Sequence, residues 1–188
     1  MSKLNDKTDA PLSGFDVLDV CHRQTVIALG RLAALMTHLA NQGADDEARE
    51  LAREIVTHFS TTSRDHHLDE ERHVFPTLLV TGDAETVQAV QRLQVDHAWL
   101  EEDWVALAPL LDAIAGGQSW VDLDILREGV EVFTALSHEH IALEESLIYP
   151  QARVQLGAAA RAAMGREMLE RRRDAAAARR RLHRPTDD

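Results

Sequence analysis

The chain has 188 residues, which suits one domain of ordinary size and leaves little room for a second. Its 45% hydrophobic and 28% charged residues are typical of soluble globular proteins and exclude the disordered and fibrous classes. A net charge of −12 argues against nucleic acid or an anionic membrane surface as a partner, because both require a cationic face.

The N-terminal residues 1–12 are polar and small, and they predict a disordered lead-in. They lack the apolar stretch of a signal peptide, and no later segment is apolar enough to predict a membrane span. The single cysteine, Cys21, excludes an intramolecular disulfide framework and fits a reducing compartment. We therefore expect a cytoplasmic protein.

Four long segments show apolar residues at three- and four-residue spacing, and capping or turn residues bound them. Ser13 with Asp16 resembles a capping box, and residues 41–43 (Asn-Gln-Gly) suit the end of that first helix. The predicted helices cover 13–42, 45–80, 84–115 with a kink or break at Pro109, and 119–156 with a Ser119–Asp122 capping pair. Four long helices with short loops and no alternating strand pattern predict an all-α protein, an antiparallel four-helix bundle over residues 13–156.

The C-terminal segment, residues 157–188, is rich in Ala and Arg and has high helix propensity. Residues 171–188 hold seven Arg and three Asp, so this part carries +4 and residues 1–170 carry −16. The segment lacks a wide apolar stripe, and two interpretations stay open. It is either a partly solvated fifth helix on the bundle, or a surface for an acidic protein partner or a dimer contact.

Histidine is abundant, with ten residues against four Phe, three Trp and one Tyr, and an internal repeat organises several of them. Residues 66–76 align without a gap on residues 140–150 and share a His, a Glu pair, an aromatic residue and a Pro. His22 and His97, which are 75 residues apart, precede the two repeated segments. The repeat predicts two helical hairpins, each with one His on its first helix and a His-x-x-x-Glu on its second.

The His-x-x-x-Glu spacing has a direct structural meaning, because residues four apart lie on the same face of a helix. His66 with Glu70, and His140 with Glu144, therefore each present an imidazole beside a carboxylate. Facing helices bring both pairs and the two single histidines to the bundle axis. Buried carboxylates require a compensating cation, and imidazole with carboxylate suits a transition metal. A site for two metal ions follows.

Two residues compete to complete the ligand set. His73 lies seven residues after His66 and three after Glu70, on the same face, although its repeat equivalent is the apolar Leu147. Glu101 follows the third-helix His by four residues and reproduces the His-x-x-x-Glu spacing. We favour His73, so the predicted metal ligands are His22, His66, Glu70, His73, His97, His140 and Glu144.

Residues beside these ligands are predicted to play other parts. His67 lies about 100° round the helix from its neighbour and is expected to face an adjacent helix or solvent. Glu71 and Glu145 are expected to orient a ligand or to pair with arginine, and Cys21 to be a small buried thiol. Of the aromatic residues predicted as core, Trp104 is the candidate wall of a pocket and Tyr149 the candidate hydroxyl at the end of the site.

These motifs resemble the hemerythrin-like proteins that carry the HHE cation-binding domain. The likeness covers roughly residues 14–156 and depends most on the two His-x-x-x-Glu-Glu segments followed by Phe-Pro or Tyr-Pro. The resemblance implies a four-helix bundle with a non-haem di-iron centre, that is, two iron ions held by histidines, bridged by carboxylates and joined by an oxo or hydroxo group. The residues that match the family's ligands are His22, His66, Glu70, His97, His140 and Glu144.

The chain departs from the oxygen-carrying hemerythrins at two positions. Glu101 stands where they have a second His on the third helix, and Glu144 follows His140 by four residues where they have an Asp at five. Three functions stay open. The first is binding of O₂, NO or peroxide for sensing, storage or oxidative-stress defence; the second is a di-iron enzyme with peroxidase-, catalase- or ferroxidase-type activity. The third is an iron-responsive module whose C-terminal helix engages a protein partner.

Overall fold

The structure is a computed structural model that describes residues 12–118 and 120–182. Nearly all of the predicted lead-in therefore lies outside the described residues, as do Ser119 and residues 183–188. The described ranges contain helices and turns and no strand, which confirms the all-α prediction. The helices are α1 Gly14–Gln42, α2 Asp46–Thr57, α3 Arg64–His73, α4 Phe75–Thr81, α5 Ala84–Ala115, α6 Leu123–Leu143, α7 Tyr149–Gln155 and α8 Ala158–Leu182, with π-helical segments at His58–Ser63 and Glu144–Ile148.

Four rods form the predicted bundle: α1, the run from α2 to α4, α5, and the run from α6 to α7. The first rod packs on the second, the second on the third, the third on the fourth, and the fourth on the first. The rods therefore enclose a single axis. None of the helices in the two described ranges is long and apolar enough to cross a bilayer.

The ends of the rods are fixed by caps. The Ser13 hydroxyl accepts from the backbone N–H of Asp16 at 3.3 Å, and the Asp16 carboxylate accepts from the N–H of Ser13 at 2.8 Å, so the predicted capping box is confirmed. Gly43, with φ of 79°, ends α1. Helix α5 continues through Pro109 without the predicted break. Asp122 is the N-cap residue of α6, whereas the predicted capping pair has Asp122 three residues after its N-cap.

The second and fourth rods are interrupted, although each is predicted as one continuous helix. Pro76 has no backbone N–H, and a proline ring clashes with the carbonyl four residues earlier, so α3 ends at His73 and the chain restarts as α4 after Val74. Before Pro150, the chain instead widens into the π-helical segment Glu144–Ile148. Glu144 and Glu145 therefore lie in a widened turn.

The core consists of two apolar clusters with a polar layer between them. One cluster fills the half of the bundle near the turn that ends α1, and the other fills the half near the start of α1. Fully buried members of the first are Leu32, Leu35, Ile55, Leu111 and Leu126, and of the second Leu18, Phe75, Leu78, Leu93 and Ile148. Burial of each such side chain stabilises the fold by about 1.5–3 kcal/mol, so a stable apolar cluster packs on each side of the polar layer.

Helix α8 is a fifth helix packed on the bundle, which is one of the two interpretations left open by the sequence. It lies against α1 and α3. A Cβ atom added to Gly165 would overlap the backbone of Leu12, and one added to Gly14 would overlap Met164, so the two helices approach closely here. Met164 and Met168 are buried in the second apolar cluster.

Candidate metal centre

The polar layer gathers buried side chains from all four rods. Helices α1 and α5 contribute one histidine each, and the other two rods contribute a His and a Glu four residues apart. The two glutamates have no solvent exposure. The residues that meet are His22, His66, Glu70, His97, His140 and Glu144, which are six of the seven predicted ligands.

Their donor atoms fall into two groups, and within each group all donor atoms lie within 4.8 Å of one another. Both groups contain both glutamates. Glu70 and Glu144 are thus shared, while each group has its own pair of histidines: His22 and His66 in the first, His97 and His140 in the second. This is the arrangement expected for two cations bridged by two carboxylates.

Several polar atoms at the centre form no well-directed hydrogen bond with the protein itself. Among the described residues, the buried atoms that lack a hydrogen bond include Nε2 of His66, His97 and His140, Oε2 of Glu70 and Oε1 of Glu144. An unsatisfied buried polar group costs about 1–3 kcal/mol. Cations satisfy imidazole lone pairs and carboxylate oxygens together, so these residues fit two metal ions.

Two further carboxylates orient the single histidines. Oε1 of Glu145 lies 3.0 Å from Nδ1 of His22, and Oε1 of Glu71 lies 2.9 Å from Nδ1 of His97. A carboxylate on one ring nitrogen fixes the tautomer and directs the other nitrogen at the metal, which is the role predicted for both glutamates. In each case the glutamate belongs to one hairpin and the histidine to the other.

Two histidines of the layer have raised pKa values, so their protonated rings balance the charge of the two buried carboxylates in the absence of metal. Burial alone would lower the pKa of His22, but the hydrogen bond and charge of Glu144 raise it to about 9. In the same way Glu70 raises the pKa of His97 to about 8 against burial. Burial dominates at His66 and lowers its pKa to about 3. Metal ions must displace the protons on His22 and His97, so metal binding and proton release are linked.

The repeat is broken at His67, whose equivalent is the apolar Ile141. The His67 ring stacks on His97 at 4.1 Å between centroids, and its donor nitrogen lies within 4.8 Å of those of His97 and His140. His67 faces the adjacent helix α5, as predicted. There it lies beside two of the donor histidines, His97 and His140. Burial and the neighbouring His97 hold its pKa well below the usual value, so the ring is neutral and has a free lone pair.

The repeat is broken again at Tyr149, whose equivalent is Phe75. The Tyr149 hydroxyl donates to Oε1 of Glu70 at 2.5 Å and lies 3.1 Å from Nε2 of His22, as expected for a hydroxyl at the end of the site. Phe75 takes the equivalent place beside His97, where it stacks on the ring at 5.5 Å between centroids. Burial and the charge of Glu70 raise the pKa of Tyr149 well above its usual value, so it remains a proton donor.

A small cavity of about 50 Å³ reaches the polar layer from the side of His66 and His140. Its outer wall is mainly apolar and includes Trp104, the predicted wall residue, with Phe59 and Phe133 packed against it. This volume suits a diatomic molecule or a peroxide and is well below the roughly 300–1,000 Å³ that is usual for pockets that bind organic ligands. The lining residues are His22, Thr25, Phe59, Ser63, Arg64, His66, His67, Leu100, Glu101, Trp104, Phe133, Ser137, His140 and Ile141.

Comparison with known proteins agrees with this geometry. The family model for the hemerythrin HHE cation-binding domain matches residues 13–152, which span the four rods and stop before α8. The chain belongs to this hemerythrin family. An uncharacterized protein of Haemophilus influenzae is 29% identical over 157 residues, which cover 84% of this chain and 88% of that relative. The protein is a metal-binding hemerythrin-like protein with a cluster of His and Glu in its core.

The structure places both competitors for the last ligand position of this hemerythrin-like centre outside the layer. Nε2 of His73 lies 2.8 Å from a carboxylate oxygen of Glu167 on α8, in contrast to its expected inward position. His73 lies about one helical turn after Glu70. At that level apolar side chains fill the centre of the bundle, and α8 packs on the outside of α3. Glu101 pairs with Arg64 at 3.0 Å near the mouth of the cavity.

A pair of variants compares His67 with His73. His67→Ala is expected to weaken metal binding at the group of His97 and His140 by about 10–100-fold, because a neutral imidazole is lost there. His73→Ala is the matched control, and we expect it to retain as much metal as the wild type. Metal analysis after dialysis checks both variants. Loss of metal from His73→Ala alone would restore the assignment made from the sequence.

Proposed function

We propose that this hemerythrin-like protein holds two iron ions bridged by Glu70 and Glu144, and that it binds O₂, NO or peroxide at them. Its role would be sensing, storage or defence against oxidative stress, in the cytoplasm. One observation carries the proposal: four imidazoles surround two fully buried, shared carboxylates, His67 lies beside two of those imidazoles, and a cavity of about 50 Å³ reaches them. Iron bound there would supply the electrons and the open coordination position that these oxidants require.

The donor set supports iron among the available metals. Calcium and magnesium prefer ligand shells made almost wholly of oxygen, whereas structural zinc sites are closed and usually rich in cysteine. Mixed His and carboxylate shells with shared carboxylates are typical of bundles that hold two iron or manganese ions. The only cysteine of the chain, Cys21, is not a member of either metal group.

The protein's own residues do the remaining work in this proposal. Glu145 and Glu71 hold the rings of His22 and His97 in the orientation that points Nε2 inward. The apolar wall at Phe59 limits the water that reaches the layer. The small volume of the cavity selects the ligand by size.

A peroxide-decomposing enzyme is the second candidate, and Tyr149 is the observation that favours it. Cleavage of an O–O bond requires a proton, and the Tyr149 hydroxyl lies 3.1 Å from Nε2 of His22 while it donates to Glu70. Since the hydroxyl keeps its proton at neutral pH, it is a source of one. A binding protein would take up one equivalent of peroxide and stop, whereas an enzyme would turn over many.

Metal analysis and an absorption spectrum of freshly purified protein, before and after addition of peroxide, test the proposal. We expect two iron ions per chain, near-ultraviolet charge-transfer bands of ferric iron, and a spectral change with peroxide, O₂ or NO. Oxygen evolution or continued peroxide loss would favour the enzyme. A protein that is produced with ample iron, retains none and binds none on reconstitution would contradict both candidates.

A further inference from the structure

Helix α8 reaches a fully buried carboxylate that belongs to none of the central metal groups. Asp69 on α3 has no solvent exposure. Arg171 forms an ion pair with it, and Nη2 of Arg172 lies 2.6 Å from Oδ2 of Asp69. The same Arg172 nitrogen lies 3.4 Å from Sγ of Cys21 on α1, to which it donates. Two adjacent arginines of α8 therefore hold α1 and α3 at once.

These contacts are costly to break. A buried carboxylate that loses its cationic partner is strongly destabilised, because the charge remains in a poorly solvated position. Asp65 and Glu167 surround Arg171 with further carboxylate oxygens, at 3.7 and 3.4 Å. Arg171 and Arg172 thus pair with acids of this same chain, and α8 is bound by charge as well as by its two buried methionines.

The positions that α8 holds lie directly beside predicted metal ligands. Asp69 precedes Glu70, and Cys21 precedes His22. Neighbouring residues on a helix share a rigid backbone, so a shift of α3 or α1 that released Asp69 or Cys21 would also move Glu70 or His22. Metal ions, in turn, would fix those same two helices from the inside of the bundle.

We propose that docking of α8 through Arg171 and Arg172 and binding of metal at the central layer stabilise each other. Docked α8 raises the affinity of the layer for metal, and bound metal holds α8 on the bundle. Coupling between two binding events is reciprocal, so each must strengthen the other by the same factor. The inference depends on the proposed function only in requiring that metal binds in this layer.

The test uses the full-length chain, with the double variant Arg171→Gln/Arg172→Gln. The matched control is Arg166→Gln/Arg173→Gln, which removes the same charge from exposed positions of the same helix. In equilibrium competition with a chelator, we expect the first variant to bind metal about tenfold more weakly than the wild type, and the control to bind it as tightly as the wild type. Equal metal affinity in all three proteins would overturn the coupling.

Hydrogen exchange on the wild type gives the reciprocal measurement without any substitution, so it does not depend on whether a variant folds. Backbone amides of α8 are expected to exchange about tenfold more slowly in the metal-loaded protein than in the metal-free one. Unchanged α8 exchange in a protein that has bound its metal would overturn the coupling alone. A chain that binds no metal would fail at the preceding metal analysis, and that result overturns the proposed function together with the coupling.

Discussion

Replacement of Glu144 by alanine is expected to abolish retention of two metal ions, with fewer than one ion left per chain. The Glu144 carboxylate belongs to both metal groups, and it lies 3.0 Å from Nε2 of His140 and 3.1 Å from Nε2 of His22. Its loss removes an anionic ligand from each ion and leaves the attraction between two cations less balanced. We expect affinity to fall by at least about 100-fold, since even partners of ligands are worth 10–100-fold.

Glu145→Ala is the matched control for this variant. It removes the same side chain from the next residue of the same widened turn, but Glu145 is 57% exposed and its carboxylate lies beside Nδ1 of His22 and not beside Nε2. A smaller loss of affinity, within the 10–100-fold range, is expected. Titration of both metal-free variants with Fe(II) measures the difference. If Glu144→Ala binds two ions as tightly as the wild type, the shared carboxylate is not a bridge.

Removal of the metal by a chelator is expected to lower the midpoint of thermal unfolding by roughly 8–16 °C. A ligand present at 1,000 times its dissociation constant stabilises the folded state by about 4 kcal/mol. One kcal/mol corresponds to about 2–4 °C in a domain of this size. The metal-free fold keeps two buried carboxylates and several unpaired ring nitrogens in its centre, so it also loses the favourable contacts that metal supplies.

Melting curves followed by circular dichroism, with and without chelator, measure this effect. The Glu144→Ala variant serves as the control, because a protein that holds no metal pair should melt at the same temperature in both conditions. If the wild-type protein contains metal and its unfolding midpoint is the same with and without chelator, the layer is stable without metal. The protons on His22 and His97 would then balance the buried charge sufficiently.

The bundle and most of its centre are predictable from the sequence because it contains both a helical period and an internal repeat. The 3.6-residue period predicts the rods, and the repeat at an offset of 74 selects which His and Glu of those rods share a face. Convergence of six predicted residues follows from those two facts. The capping residues Ser13 and Gly43 similarly act within one turn of helix, so their effect is visible in the chain itself.

The surroundings of His67 and His73 depend on contacts that spacing along one helix does not contain. The packing of α3 on α5 places the His67 ring on His97. His73 has the angle around the helix that the spacing predicts, but α8 covers that turn and its Glu167 pairs with His73. The break before Pro76 and the widened turn before Pro150 each have a signal in the sequence, because a proline cannot extend a preceding helix without strain.

Each hairpin supplies a glutamate to the metal group of the other hairpin. Each metal group takes three ligands from one hairpin and its fourth, a glutamate, from the other, so a lone hairpin contains no complete group. A single hairpin of this design would need a second copy to complete each group. Within one chain, the two hairpins can differ in sequence. His67 and Tyr149, whose equivalents are Ile141 and Phe75, make the two ends of the site chemically different.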